Sequence, residues 1–95
     1  MSVDAEIYIK QVFHFFDTNP EQLKMLIGDL NKEKFYNKIK NKVYEHVDKG
    51  SDELELTRQE MIDLIKELHD ETNITLSHEP SVPVMKTKFG FVILN

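Results

Sequence analysis

Four carboxylates in this chain are spaced as one face of a helix spaces its residues. Glu60, Asp63, Glu67 and Asp70 follow one another at three- and four-residue steps, so a helix would carry them on a single stripe. Two carboxylates do acid–base work only inside a cleft that drives their ionisation apart. An outward stripe offers a docking surface for a charged partner, or simply a solvated face. Lys34, Lys38 and Lys42 make the matching basic stripe at four-residue steps, a pattern able to meet phosphate or RNA. Only Tyr36 and Tyr44 stand beside them as stacking aromatics, so nucleic acid is not an expected partner. The four histidines, His14, His46, His69 and His78, include no pair at the helical spacing that sets two imidazoles on one zinc. Cysteine is absent, which excludes disulfides, thiolate metal sites and cysteine nucleophiles. Gly28, Gly50 and Gly90 are the only glycines and form no phosphate-cradling loop, and no serine occupies a nucleophile elbow. These residues assemble no catalytic set, so neither enzyme activity nor a cofactor is expected.

The elements that must position these groups are mostly helical. Tyr8, Ile9, Val12, Phe13 and Phe16 recur at helical spacing, which predicts a first helix from Ser2 or Asp4 to about Phe16. Thr18 and Glu21 bracket Pro20 as a capping box would, which predicts a short second helix carrying Leu23, Leu26 and Ile27 and stopping at Gly28. Asp29 or Asn31 opens a third helix with Phe35, Ile39, Val43 and Val47 inside. Thr57-Arg58-Gln59-Glu60 is a second capping box; it opens a fourth helix that turns Met61, Leu64, Ile65 and Leu68 inward and ends near Thr72. Leu54-Glu55-Leu56 and Ile74-Thr75-Leu76 read as short strands. Pro80 and Pro83 keep the following connector extended.

The end of the sequence departs from this pattern. Met85, Thr87, Phe89, Phe91 and Ile93 alternate onto one strand face, while Val92 and Leu94 load the other. An uncharged aromatic and β-branched run is an aggregation hazard in water, so Phe89, Phe91 and Ile93 are expected to be covered. The cover is either the chain's own helices or a second copy, and the sequence leaves both open.

Charge is segregated along the 95 residues. Residues 32–49 carry six lysines against three acids, residues 50–79 carry nine acids against Arg58 and Lys66, and the net charge is −5. Blocks of opposite sign imply pairing between segments or a charged partner. No apolar run approaches the ~20 residues of a membrane span, and Met1 to Glu6 lacks the basic start of a secretion signal. A cytoplasmic location is therefore expected, in the host cytoplasm for a viral protein.

Residues 36–70 resemble a degenerate EF-hand: helix, acidic loop, helix, with Leu56 at the buried aliphatic position and Glu60 where the bidentate carboxylate closes the loop. Lys49 stands where that pattern has an aspartate, and Leu54 where it has glycine. The longer variant loop of small dimeric calcium-binding proteins fits better, and the resemblance then implies calcium at Glu60, Asp52 and Glu55. Separately, Leu56-Thr57-Arg58-Gln59-Glu60-Met61-Ile62 with Thr87-Lys88-Phe89-Gly90-Phe91 resembles small uncharacterised proteins of marine tailed phages. That resemblance implies a viral or environmental origin and an accessory role.

The sequence is thus expected to fold as one mostly α (α+β) domain over residues 1–95. It divides into a four-helix body over 1–72 with a short second helix, a connector over 73–83, and a C-terminal strand over 84–95. The strand packs on the helices, with 54–56 available as a pairing partner. The expected function is a non-enzymatic protein-interaction or accessory module, with homodimerisation through the tail and specificity from Glu60, Asp63, Glu67 and Asp70. The alternative is an EF-hand-like calcium-binding domain.

Overall fold

The computed structural model describes residues 3–50 and 54–75, together with the backbone of 85–86 and 92–93. Four helices make the body: α1 (Val3–Thr18), α2 (Pro20–Ile27), α3 (Lys32–Asp48) and α4 (Arg58–Thr72). The mostly helical expectation holds over these residues. Helix α3 is central, packing against both α1 and α4, while α2 folds back on α1.

Each helix buries the stripe its periodicity marks. Ala5, Tyr8, Ile9, Val12 and Phe16 of α1 are buried, as are Phe35, Ile39 and Val43 of α3. Helix α4 contributes Met61, Leu64, Ile65 and Leu68, and Ile62 and His69 widen its buried face. Each large apolar side chain so removed from water contributes roughly 1.5–3 kcal/mol. Phe16 and Phe35 meet edge to face across α1 and α3, 5.7 Å between ring centroids, the arrangement the ring quadrupoles favour. Val47, expected in the same stripe as Val43, and Phe13, expected in the stripe of Val12 and Phe16, are only half-buried.

The junctions follow from local chemistry, with one correction. Thr18 does not cap α2. A single residue separates the first two helices, so Thr18 stays helical and its hydroxyl donates back to the His14 carbonyl at 2.8 Å. Asn19 is the residue at the α2 N-cap, makes no side-chain capping bond there, and donates its amide to the Phe15 carbonyl at 2.8 Å. Both side chains therefore close the end of α1, where free carbonyls need donors. At the other end of α2, Gly28 has φ 59° and ψ −122°, and Leu30 N–H donates to the Ile27 carbonyl at 3.1 Å. Those angles suit the first central position of a type II′ turn, which admits glycine at no steric cost. The turn buries Leu30 and delivers Asn31, whose side chain accepts from Lys34 N–H at 3.0 Å as the α3 cap.

Between α3 and α4, Leu54-Glu55-Leu56 is coil and bend, not the expected strand. Its alternation has a different cause: Leu56 drops into the helical core at 1% exposure, while Leu54 packs at the core's margin. Ile74 and Thr75 are also coil. At the chain's far end, Met85–Lys86 and Val92–Ile93 pair antiparallel, Met85 opposite Ile93 and Lys86 opposite Val92. The rest of the expected strand over 84–95, and its packing on the helices, lie outside the described residues.

Candidate functional site

A connected polar arrangement joins the last turn of α3 to the first turn of α4. Thr57 and Glu60 form the capping box the sequence marks: Glu60 N–H donates to Thr57 Oγ1, and Thr57 N–H to Glu60 Oε1, both at 3.0 Å. The second carboxylate oxygen, Oε2, lies 2.6 Å from His46 Nε2. Partial burial opposes the ionisation of Glu60, but the Thr57 N–H and the His46 ring outweigh it and hold the carboxyl below the usual range. One residue upstream of the cap, Leu56 N–H donates to the Tyr8 hydroxyl of α1 at 3.0 Å. Burial, with Glu55 and Glu60 nearby, pushes the Tyr8 phenol well up, so it stays neutral.

A carboxylate that orients an imidazole is one half of many acid–base devices. Here the groups around it are already committed. The Thr57 hydroxyl accepts the cap bond, and the Tyr8 oxygen accepts from the backbone. The arrangement is suited to fastening elements together.

The acidic stripe is not uniform. Glu60 turns toward α3 as described. Asp63 is exposed and accepts the Gln59 amide at 2.8 Å. Glu67 and Glu71 both bind Lys38 of α3, Glu67 at 2.7 Å. Those carboxylates raise the Lys38 ammonium, Glu67 foremost, and Lys38 lowers Glu67 in return. Asp70 is exposed beside an open groove of about 460 Å³ that Lys66, His69 and Ile74 also line. His69 Nδ1 sits 2.9 Å from the Ile74 carbonyl and, with Asn73 at φ 58°, finishes α4.

The basic stripe is divided in the same way. Lys38 belongs to the α3–α4 bridge, and Lys42 lies 3.4 Å from Glu45 on its own helix. Lys34 is exposed on the rim of a polar groove of about 380 Å³ between α3 and α4. The opposite charge of the two segments is therefore used, at Lys38, to dock one helix on the other.

Of the implied calcium ligands, Glu60 has both oxygens engaged, Glu55 is half-buried, and Asp52 lies outside the described residues. Among the described residues, no three metal-ligating side chains converge, and no helix is long and apolar enough to cross a membrane. The aromatic and apolar tail residues Phe89 and Phe91, and the side chain of Ile93, lie outside the described residues.

Two groupings had no sequence signal. His46 and Glu60 are fourteen residues apart, so helical spacing could not pair them. The other is on α1 and α3: Phe13 stacks on Tyr36, 4.2 Å between centroids and 8° from parallel. The Tyr36 hydroxyl reaches Asp17 at 2.8 Å, and Lys32 lies 3.3 Å from the same carboxylate. Only the helix pairing reveals either. Comparison with protein families, with curated proteins and with solved structures found no match.

Proposed function

We propose that the chain is a non-enzymatic protein-interaction or accessory module. Its C-terminal segment packs as extended chain against a helical surface, either its own or that of a second copy, and a homodimer is the favoured assembly. Phe89, Phe91 and Ile93 supply the apolar contact. Asp63 and Asp70 supply the charge that selects the partner, since Glu60 and Glu67 are drawn into contacts with α3.

One observation carries this reading. The backbone at 85–86 and 92–93 forms a two-stranded antiparallel ladder of two residues per strand. A two-stranded ribbon is marginal in water without a third strand or a covering surface. The sequence around its second strand, Phe89-Gly90-Phe91-Val92-Ile93-Leu94, is the kind water tolerates least. A second copy offers both a sheet edge and a cover, and isologous pairing is the commonest way for a small chain to use itself as partner.

Removal of residues 84–95 tests the reading. The shortened chain is expected to lose self-association, or to aggregate or unfold. A shortened chain that stays soluble and folded, with the same association state as the full chain, would overturn it.

A further inference from the structure

Ionisable side chains from three elements fasten the far end of the α3–α4 connection. Glu60 Oε2 and His46 Nε2 are 2.6 Å apart, with the two side chains only 25% and 15% exposed. The other Glu60 oxygen accepts Thr57 N–H, so one carboxylate joins the last turn of α3 to the cap of α4. Tyr8 of α1 holds the adjacent Leu56 N–H. Loss of the Glu60 contacts would therefore loosen a cap, a connection and a buried leucine together.

The geometry points to a proton-controlled clasp: His46 and Glu60 hold the connection closed most tightly when an imidazolium faces a carboxylate, and protonation of Glu60 releases it. Imidazole is the side chain whose charge ordinarily changes between about pH 5 and 8. Neutral imidazole with its proton on Nε2 still donates to Glu60, as an ordinary hydrogen bond. The charged ring makes a charge-assisted bond, roughly twice as strong. In acid the carboxyl gains a proton and can no longer serve two donors. Glu60 is held below the usual carboxylate range. Its contribution is thus complete above the unfolded value and is lost as pH falls through the lowered one.

Other ionisable groups on the elements that meet here are engaged with other partners. Tyr8 stays a neutral phenol. Glu45 is held by Lys49 and Lys42, and Asp63 accepts the Gln59 amide. Glu55 stands in the connection itself and bears on Tyr8, while Asp52 and Glu53 lie outside the described residues. The clasp is independent of the dimer reading, since His46, Glu60, Thr57 and Tyr8 all belong to the helical body and its α4 cap.

Amide hydrogen exchange on the full chain, corrected for intrinsic rates and followed from about pH 2 to 8, tests the clasp. Protection of the Leu56, Thr57 and Glu60 amides is expected to peak within that range. It should fall by about fivefold toward the alkaline end, as the charge assistance is lost, and again in acid. The Phe35 and Ile39 amides should show no such peak. His46→Gln keeps a neutral donor that cannot ionise, and should abolish the alkaline fall. The same profile in His46→Gln as in the native chain would overturn the inference. Should that variant fail to fold, the Glu60 carboxyl carbon of the native chain decides: a titration in two steps supports the clasp, and a single step overturns it.

Discussion

Thr57 shows how much one side chain settles locally. Its hydroxyl takes the Glu60 N–H, its own N–H goes to Glu60 Oε1, and the helix that follows presents six buried residues to the core. Thr57→Ala should cost about 1 kcal/mol, read as a lowered urea midpoint with an unchanged slope. Gly28 acts through its backbone alone. Apart from its chain neighbours, nothing lies within 4 Å of where a Cβ would stand, yet φ is +59°, so Gly28→Ala should cost about 1–3 kcal/mol from strain without any clash. Asp17 carries a pH signature. The Tyr36 hydroxyl is the main cause that holds its carboxyl below the ordinary range, against desolvation, with Lys32 adding to the lowering. A carboxyl lowered on folding stabilises above its unfolded value, and that contribution disappears as pH falls through the folded one. Tyr36→Phe should return the Asp17 titration toward the ordinary carboxylate range and flatten the acid limb of stability. An unchanged Asp17 titration in that variant would sever the link.

Among the elements, α3 makes the decisive contacts, and the α3–α4 contact combines an apolar core with a charged clamp. Lys38, at 20% side-chain exposure, reaches both Glu67 and Glu71, which are 63% and 52% exposed. Pairs that reach water are worth at most about 1 kcal/mol. A double-mutant cycle on Lys38 and Glu67 should give a coupling below that, shrinking as salt is added. Phe35 behaves differently. It is fully buried against Phe16, and Phe35→Ala should cost about 3–5 kcal/mol regardless of salt. The four helices and their inward stripes were legible in the sequence because burial imposes a 3.6-residue period on apolar residues. The α4 cap was legible too, because its partners are three residues apart. Thr18 misled because a capping box and a helix-ending hydroxyl share the same residue types. Only the one-residue gap between α1 and α2 decides between them. Leu54-Glu55-Leu56 misled because alternation also describes a coil that drops one leucine into a core. His46 with Glu60, and Phe13 with Tyr36, were not legible at all. Contacts between helices have no period along the chain.

At the scale of the whole molecule, the charge segregation has an internal use at the α3–α4 bridge. In the function proposed, the C-terminal segment, whose described backbone is a ladder of two short strands, is covered by a second copy. The most direct check is the light-scattering mass of the full chain against concentration, beside Phe91→Asp. The native mass should approach twice the 11.2 kDa of the chain as concentration rises. In the variant it should fall to the single-chain mass, with helical circular dichroism retained. A native chain that stays at the single-chain mass at every concentration would contradict it.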